Sequence, residues 1–181
     1  MGNITKLTDE AVVQLVRTQD KELYSEIIKR YQTKLLRYAS FLVGTEASGA
    51  DVVQDSFIKA YINLNGFDSK RKFSSWIYRI VHNQAMNVLH AQKRQEPIGE
   101  TIDSASNQDI EDDYIRAELA RMTHDCLLSI PVMYREPATL YYLDDKTYEE
   151  ISDILRIPIS TVGTRISRAK AQLKKICQRK K

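Results

Sequence analysis

Glycine and proline are scarce in this chain of 181 residues, at six and four. Folds built from many tight turns draw on both, so a turn-rich all-β architecture is disfavoured and helices are expected. Cysteine is scarcer still. Cys126 and Cys177 stand far apart, and neither belongs to a CxxC or a Cys/His cluster. That pattern points to no metal site, and two buried thiols in a reducing compartment are expected. The histidines, His82, His90 and His124, are scattered, and the chain has no glycine-rich phosphate loop and no nucleophile motif. No catalytic residue, metal or cofactor is therefore expected. No apolar run approaches the ~20 residues of a membrane span. The opening MGNITKLTDE lacks the apolar centre of a signal peptide, so a soluble, cytoplasmic protein is the expectation.

What the chain does have is charge in segregated blocks. The net charge of +3 is too small to argue for a polyanionic partner. The distribution says more. No acidic residue occurs from Arg156 to Lys181, whereas between Glu96 and Glu118 the acids face a lone Arg116. Such separation gives distinct electrostatic surfaces, and a basic one attracts nucleic acid through counterion release.

Apolar residues recur at helical spacing through most of the chain. Leu7-Thr8-Asp9-Glu10 opens a helix carrying Ala11, Val12, Leu15 and Val16. A second is expected from Lys21 to Val43 with Gly44 as its stop, and a third from Ala50 to Leu64 burying Val52, Val53, Phe57, Ile58 and Tyr61. Ser74 or Ser75 is expected to cap a fourth that ends near Arg94. Pro97-Ile98-Gly99 then breaks the pattern, and a polar, acidic stretch follows. The organisation expected is all-α: two small helical domains, 1–96 and 113–181, joined by a flexible acidic linker over 97–112. In the second half a helix starts near Ile110, and Pro131 opens another that Pro137 enters early or bends. Thr147-Tyr148-Glu149-Glu150 is a capping box. Ile157-Pro158-Ile159 interrupts the helix it starts, and Ser160 caps a last one with Val162, Ile166, Ala169, Leu173 and Ile176 inward.

Two short helices across a tight turn, the second basic on its outer side, describe a helix-turn-helix. Its outer face would hold Thr161, Thr164, Arg165, Ser167, Arg168 and Gln172, types that bond base edges and phosphates. The N–H groups near Ser160 and Thr161 would favour a phosphate. The competing reading is a plain helical hairpin with a charged face. In the first domain, Lys70-Arg71-Lys72-Phe73-Ser74-Ser75-Trp76-Ile77-Tyr78-Arg79, followed by His82, Asn83 and Asn87, interleaves cations, aromatics and amides. That mixture suits unpaired bases. It equally suits a core of Trp76, Ile77 and Ile80 under solvated lysines.

Over nearly its whole length the sequence resembles the extracytoplasmic-function (ECF) group of bacterial sigma factors. The resemblance rests on Asp51 to Tyr61, on Phe73 to Ile80 with Asn83 and Asn87, and on Ile130 to Glu136, Thr147 to Ile151 and Ile157 to Val162. Arg165, Arg168 and Ala169 extend it. It implies a non-enzymatic initiation factor that binds core RNA polymerase and promoter DNA. Asp51, Gln54, Asp55 and Phe57 would form or support the polymerase-binding face. Lys70, Arg71, Phe73, Trp76, Arg79, Asn83 and Asn87 would serve the −10 element, with a flipped base in the loop from Asn65 to Phe73. Ser160, Thr161, Thr164, Arg165, Ser167 and Arg168 would serve the −35 element. The acidic linker would thread the basic interior of the polymerase, and an anti-sigma factor, often membrane-anchored, would hold the protein inactive. Gly163, where relatives often carry lysine or arginine, Ser167, small for its position, and Pro137, in place of an aliphatic residue, depart from the group. The alternative reading is a stand-alone helix-turn-helix regulator, which leaves the helix from Asp51 to Tyr61 without a purpose.

Overall fold

The computed structural model describes residues 4–95 and 121–179, with side chains to Arg94 and Ile176. The expected linker, 97–112, and the start of the second domain lie outside the described residues, as do Ile115, Leu119 and the Cys177 side chain. Among the described residues every regular element is helical.

α1 spans Asp9–Thr18 and is capped by the Thr8 hydroxyl, which accepts from the Ala11 N–H at 3.3 Å. α2 spans Tyr24–Val43 and ends at Gly44, whose φ of 92° puts it in the left-handed region. Residues Lys21–Leu23, expected in this helix, instead form a 3₁₀ turn capped by Asp20. α3 spans Glu46–Ile62 and begins at the Thr45 cap, earlier than Ala50. Its first turn has no apolar period to announce it. What places it is Gly49: a Cβ there would lie 2.5 Å from Ser40 Oγ and 2.9 Å from the Ser40 backbone N. Only a bare backbone lets α3 approach α2 so closely.

α4 spans Phe73–Gln95, so Ser74 and Ser75 stand inside its first turn and neither caps it. The Phe73 N–H instead donates to Glu10 Oε1 of α1 at 2.8 Å. A carboxylate from a distant helix meets a requirement that the nearby serines were expected to meet. Ile27, Leu35, Tyr38, Leu42, Phe73, Ile77 and Val81 fill the centre of this first bundle. Burying each such side chain is worth about 1.5–3 kcal/mol.

In the second half, α5 is described over 121–128. α6 spans Val132–Tyr142 with Pro131 at its N-cap, and it runs through Pro137 without ending. Pro137 lacks the N–H that would bond the preceding turn, a cost usually avoided in helix interiors. α7 spans Tyr148–Leu155 and α8 Ile159–Arg179. Leu140, Ile151, Ile154, Val162 and Ile166 are buried between these helices.

The halves pack on each other through α2 against α6 and α4 against α7. Charged groups line that seam. Arg135, 6% exposed, donates to the Leu42 carbonyl across it at 3.0 Å and to the Leu128 carbonyl at 3.2 Å. Glu136 Oε1 accepts from the Tyr38 hydroxyl and lies the same 2.6 Å from His82 Nδ1.

Gly49→Ala is expected to destabilise the protein by about 1–3 kcal/mol in chemical denaturation, because overpacking against Ser40 outweighs the better helix propensity of alanine. Burial also raises the phenol pKa values of Tyr24, Tyr31, Tyr38 and Tyr78. A pKa raised by folding contributes stability that is complete below the ordinary tyrosine value of ~10 and is lost as pH climbs beyond it. Absorbance titration is expected to show these phenols ionising together with cooperative unfolding. Smooth ionisation of a chain that keeps its helices would contradict this.

Candidate nucleic-acid interface

The helix-turn-helix is built from local rules. The Thr147 hydroxyl accepts from the Glu150 N–H at 3.2 Å, and Glu150 Oε2 accepts from the Thr147 N–H at 2.9 Å, which closes the capping box. α7 ends on Arg156 in the left-handed region, at φ 56°. The Ser152 hydroxyl then donates to the Ile157 carbonyl at 2.6 Å and ties the turn to α7. Ser160, expected as the cap of the last helix, takes another place. α8 already starts at Ile159, and the N–H groups of Thr161 and Val162 bond the Pro158 carbonyl, so Ser160 sits in the first turn and is not its cap. Proline ahead of the helix supplies the bend.

Val162, Ile166 and Ala169 of α8 face inward. Ser160, Thr164, Ser167 and Arg168 are exposed, and Thr161 and Arg165 are partly so. Gly163 has a structural reason: a Cβ at this position would lie 3.3 Å from the Tyr148 ring. Its missing side chain spares α8 that tight contact with the start of α7.

On α4, Trp76, Arg79, Asn83 and Asn87 recur at steps of three and four and so share one stripe, which Lys72 extends at its N-terminal end. Lys72 belongs to the basic and aromatic stretch of the sequence but not to the residues expected at the −10 element. Asn83 and Asn87 are exposed. Trp76 is half-buried, with its ring 5.2 Å from that of Phe67 and 5.5 Å from that of Phe73. Phe73 is fully buried, so its ring supports the loop from beneath and offers no surface of its own. Lys70 is exposed, its N–H bonded to Asp68 Oδ1.

The cations at the start of this stripe already have partners, all from α7. Lys72 Nζ donates to Glu150 Oε1 at 2.8 Å, and Arg79 Nη2 donates to Asp153 Oδ2 at 3.0 Å. Arg71 Nη1 lies 3.7 Å from Asp153 Oδ1. Burial alone would raise the Glu150 carboxyl pKa, but Lys72, the Thr147 N–H and Lys146 outweigh it and hold the pKa below its ordinary value. Burial lowers the Arg79 pKa, and the nearby Arg156 and Arg71 act in the same direction against the pull of Asp153.

The expected polymerase-binding residues lie along α3. Asp51, Gln54 and Asp55 are exposed, and Phe57 is buried beneath them. Ile58 and Tyr61, expected in the core, are instead 52% and 40% exposed, and Ile62 is 72% exposed. The inward stripe is Val52, Val53, Phe57 and Ala60, and Ile58 and Ile62 fall out of phase with it. They continue the line Asp51–Asp55 at steps of three and four, which gives an acidic face with an apolar end.

Fold and surface together define a class: a two-domain helical protein with a C-terminal helix-turn-helix and a separate basic and amide-bearing helix. Models of the Sigma-70 region 2 and Sigma-70 region 4 families match residues 27–95 and 120–173. The ECF RNA polymerase sigma-E factor of Haemophilus influenzae is 34% identical over 183 residues, covering 93% of this chain and 94% of that protein. The ECF RNA polymerase sigma factor SigW of Bacillus subtilis is 29% identical, covering 90% and 93%. The chain belongs to the sigma-70 family, within its ECF RNA polymerase sigma factors. In fold it is similar to CnrH, solved in complex with the cytosolic domain of CnrY, at a TM-score of 0.74 and 23% identity, covering 96% of this chain and 99% of that one. The sigma factor RpoE of Bartonella quintana, solved with the anti-sigma factor NepR, gives 0.67 and 19%, covering 86% and 96%.

Thr147→Ala is expected to cost about 1 kcal/mol through loss of the capping box. Thermal denaturation of the variant, with Thr147→Ser as the control that keeps the bond, checks it.

Proposed function

We propose that this protein binds core RNA polymerase and directs it to promoters, reading a −35 element with α8 and a −10 element with α4. The observation that carries the reading is the pairing, in one chain, of an exposed Thr164–Ser167–Arg168 face on a capped helix-turn-helix with the Arg79–Asn83–Asn87 stripe of the other domain. The family matches run in the same order, region 2 before region 4.

Arg165 and Arg168 are the groups suited to bidentate contacts with guanine or to phosphate, while Ser160, Thr161, Thr164 and Ser167 set register on the backbone. Asn83 and Asn87 hydrogen-bond bases of the unpaired strand, and Lys70, Arg71 and Arg79 neutralise its phosphates. Trp76 and Phe73 shape the base-accepting loop that runs from Asn65. Asp51, Gln54 and Asp55 dock on the polymerase with Phe57 as support, and Ile58 and Ile62 add an apolar end to that face. Opening needs no catalytic group, since binding the unpaired strand offsets a few kcal/mol of unstacking. Residues 1–96 and 113–181 act as the two domains and 97–112 as the acidic connection. An anti-sigma factor is the expected antagonist, as RpoE of Bartonella quintana has in NepR.

Run-off transcription with purified core polymerase on fragmented genomic DNA is the test. New starts with shared upstream sequence are expected, and absence of both binding and new starts would overturn the reading. Arg168→Ala is expected to cost about 1–3 kcal/mol and to relax preference at one −35 position. Asn83→Ala should weaken opening while leaving −35 binding intact, as permanganate reactivity of unpaired thymines would report.

A further inference from the structure

We propose that the packing of α7 on α4 is a self-repressed state, in which Glu150 and Asp153 occupy the cations that otherwise hold the phosphates of the −10 strand. This regulation rests on the −10 assignment above.

The geometry is that of substitution. Two carboxylates engage Lys72, Arg79 and Arg71, all within the stretch assigned to the single strand, at 2.8, 3.0 and 3.7 Å. A carboxylate and a phosphate make the same charge-assisted bonds to these donors, so both cannot hold them at once. Coverage is selective. Asn83 and Asn87, further along the stripe, stay exposed, and so do Thr164, Ser167 and Arg168 of the recognition helix. The closed form therefore blocks the entry of the −10 stripe and leaves the −35 face open.

The seam also carries ion pairs and hydrogen bonds that water replaces on opening, around an apolar core that both halves share. Arg37 of α2 bonds the Leu143 carbonyl and Asp144, and Lys146 lies 4.6 Å from the centre of the Tyr78 ring. Three buried side-chain atoms without a hydrogen-bond partner among the described residues, Arg79 Nε, Arg135 Nε and Asp144 Oδ2, all lie along this seam. Each carries a desolvation penalty that opening relieves. These penalties offset part of what the shared apolar core holds together, and a partner that grips either half shifts the population toward the open form. Affinity for the strand is then scaled by the open fraction.

The experiment uses the full chain carrying Glu150→Gln and Asp153→Asn. Glutamine keeps the capping-box acceptor, so α7 retains its start while the charge is lost. Small-angle scattering reports dimensions, and fluorescence anisotropy reports binding to a labelled single-stranded DNA pool of random sequence. The double variant is expected to be more extended than the wild type and to bind the pool about fivefold more tightly, the scale that two partly screened ion pairs supply. Equal dimensions and equal affinity for wild type and double variant would overturn the latch. So would extension without a gain in binding. Run-off transcription with the double variant separates this from failure of the underlying reading. Unchanged start sites alongside a failed latch leave the promoter assignment standing, whereas no starts with either protein removes both.

Discussion

A carboxylate taken out of water has to be hydrogen-bonded or neutralised, and Glu136 meets that demand with groups from the other half of the molecule. It is 4% exposed, and one of its oxygens receives the Tyr38 hydroxyl and faces His82. Burying this group unpaired would cost several kcal/mol, so α6 seats where those two side chains are. Its neighbour Arg135 donates to the Leu42 carbonyl at the buried last turn of α2. With α6 fixed on α2 and α4, the short connection through Asp144 and Lys146 leaves α7 little choice but to lie along α4. The acids of α7 then meet the cations of α4. The ion pairs at the start of the α4 stripe thus follow from how α6 and α7 are seated, by the partners of one buried carboxylate and by the apolar core they share with α4.

Local grammar made much of this molecule legible beforehand. The capping box at Thr147, the stop at Gly44, the Thr8 start and the inward spacing of α8 all depend on residues within four positions of one another, and such patterns survive without tertiary context. The candidate surfaces were legible in part for the same reason: Thr164, Ser167 and Arg168 lie opposite an apolar stripe that can be counted off directly.

What sequence reading missed was non-local. Phe73 is capped by Glu10, 63 residues earlier, and no rule of spacing links them. The early start of α3 depends on Gly49 lying under Ser40, a contact made by a neighbouring helix. Ile58 looked like core because it adjoins Phe57, yet its Cβ points along the outer line shared with Asp51 and Asp55. Lys72 looked like one more solvated lysine until α7 brought Glu150 to it. A contact that forms between two halves leaves little mark on the sequence of either half alone.

In the proposed mechanism one chain touches two promoter elements at once, with α4 on one and α8 on the other. Site-specific photocrosslinking from positions 83 and 168, in complexes with core polymerase on a promoter defined by its transcripts, addresses that directly. Crosslinks from position 83 to the unpaired −10 strand and from position 168 to the −35 duplex, in the same complex, are the predicted result. Crosslinks from position 168 alone, with position 83 silent on DNA that transcription shows to be open, would contradict it.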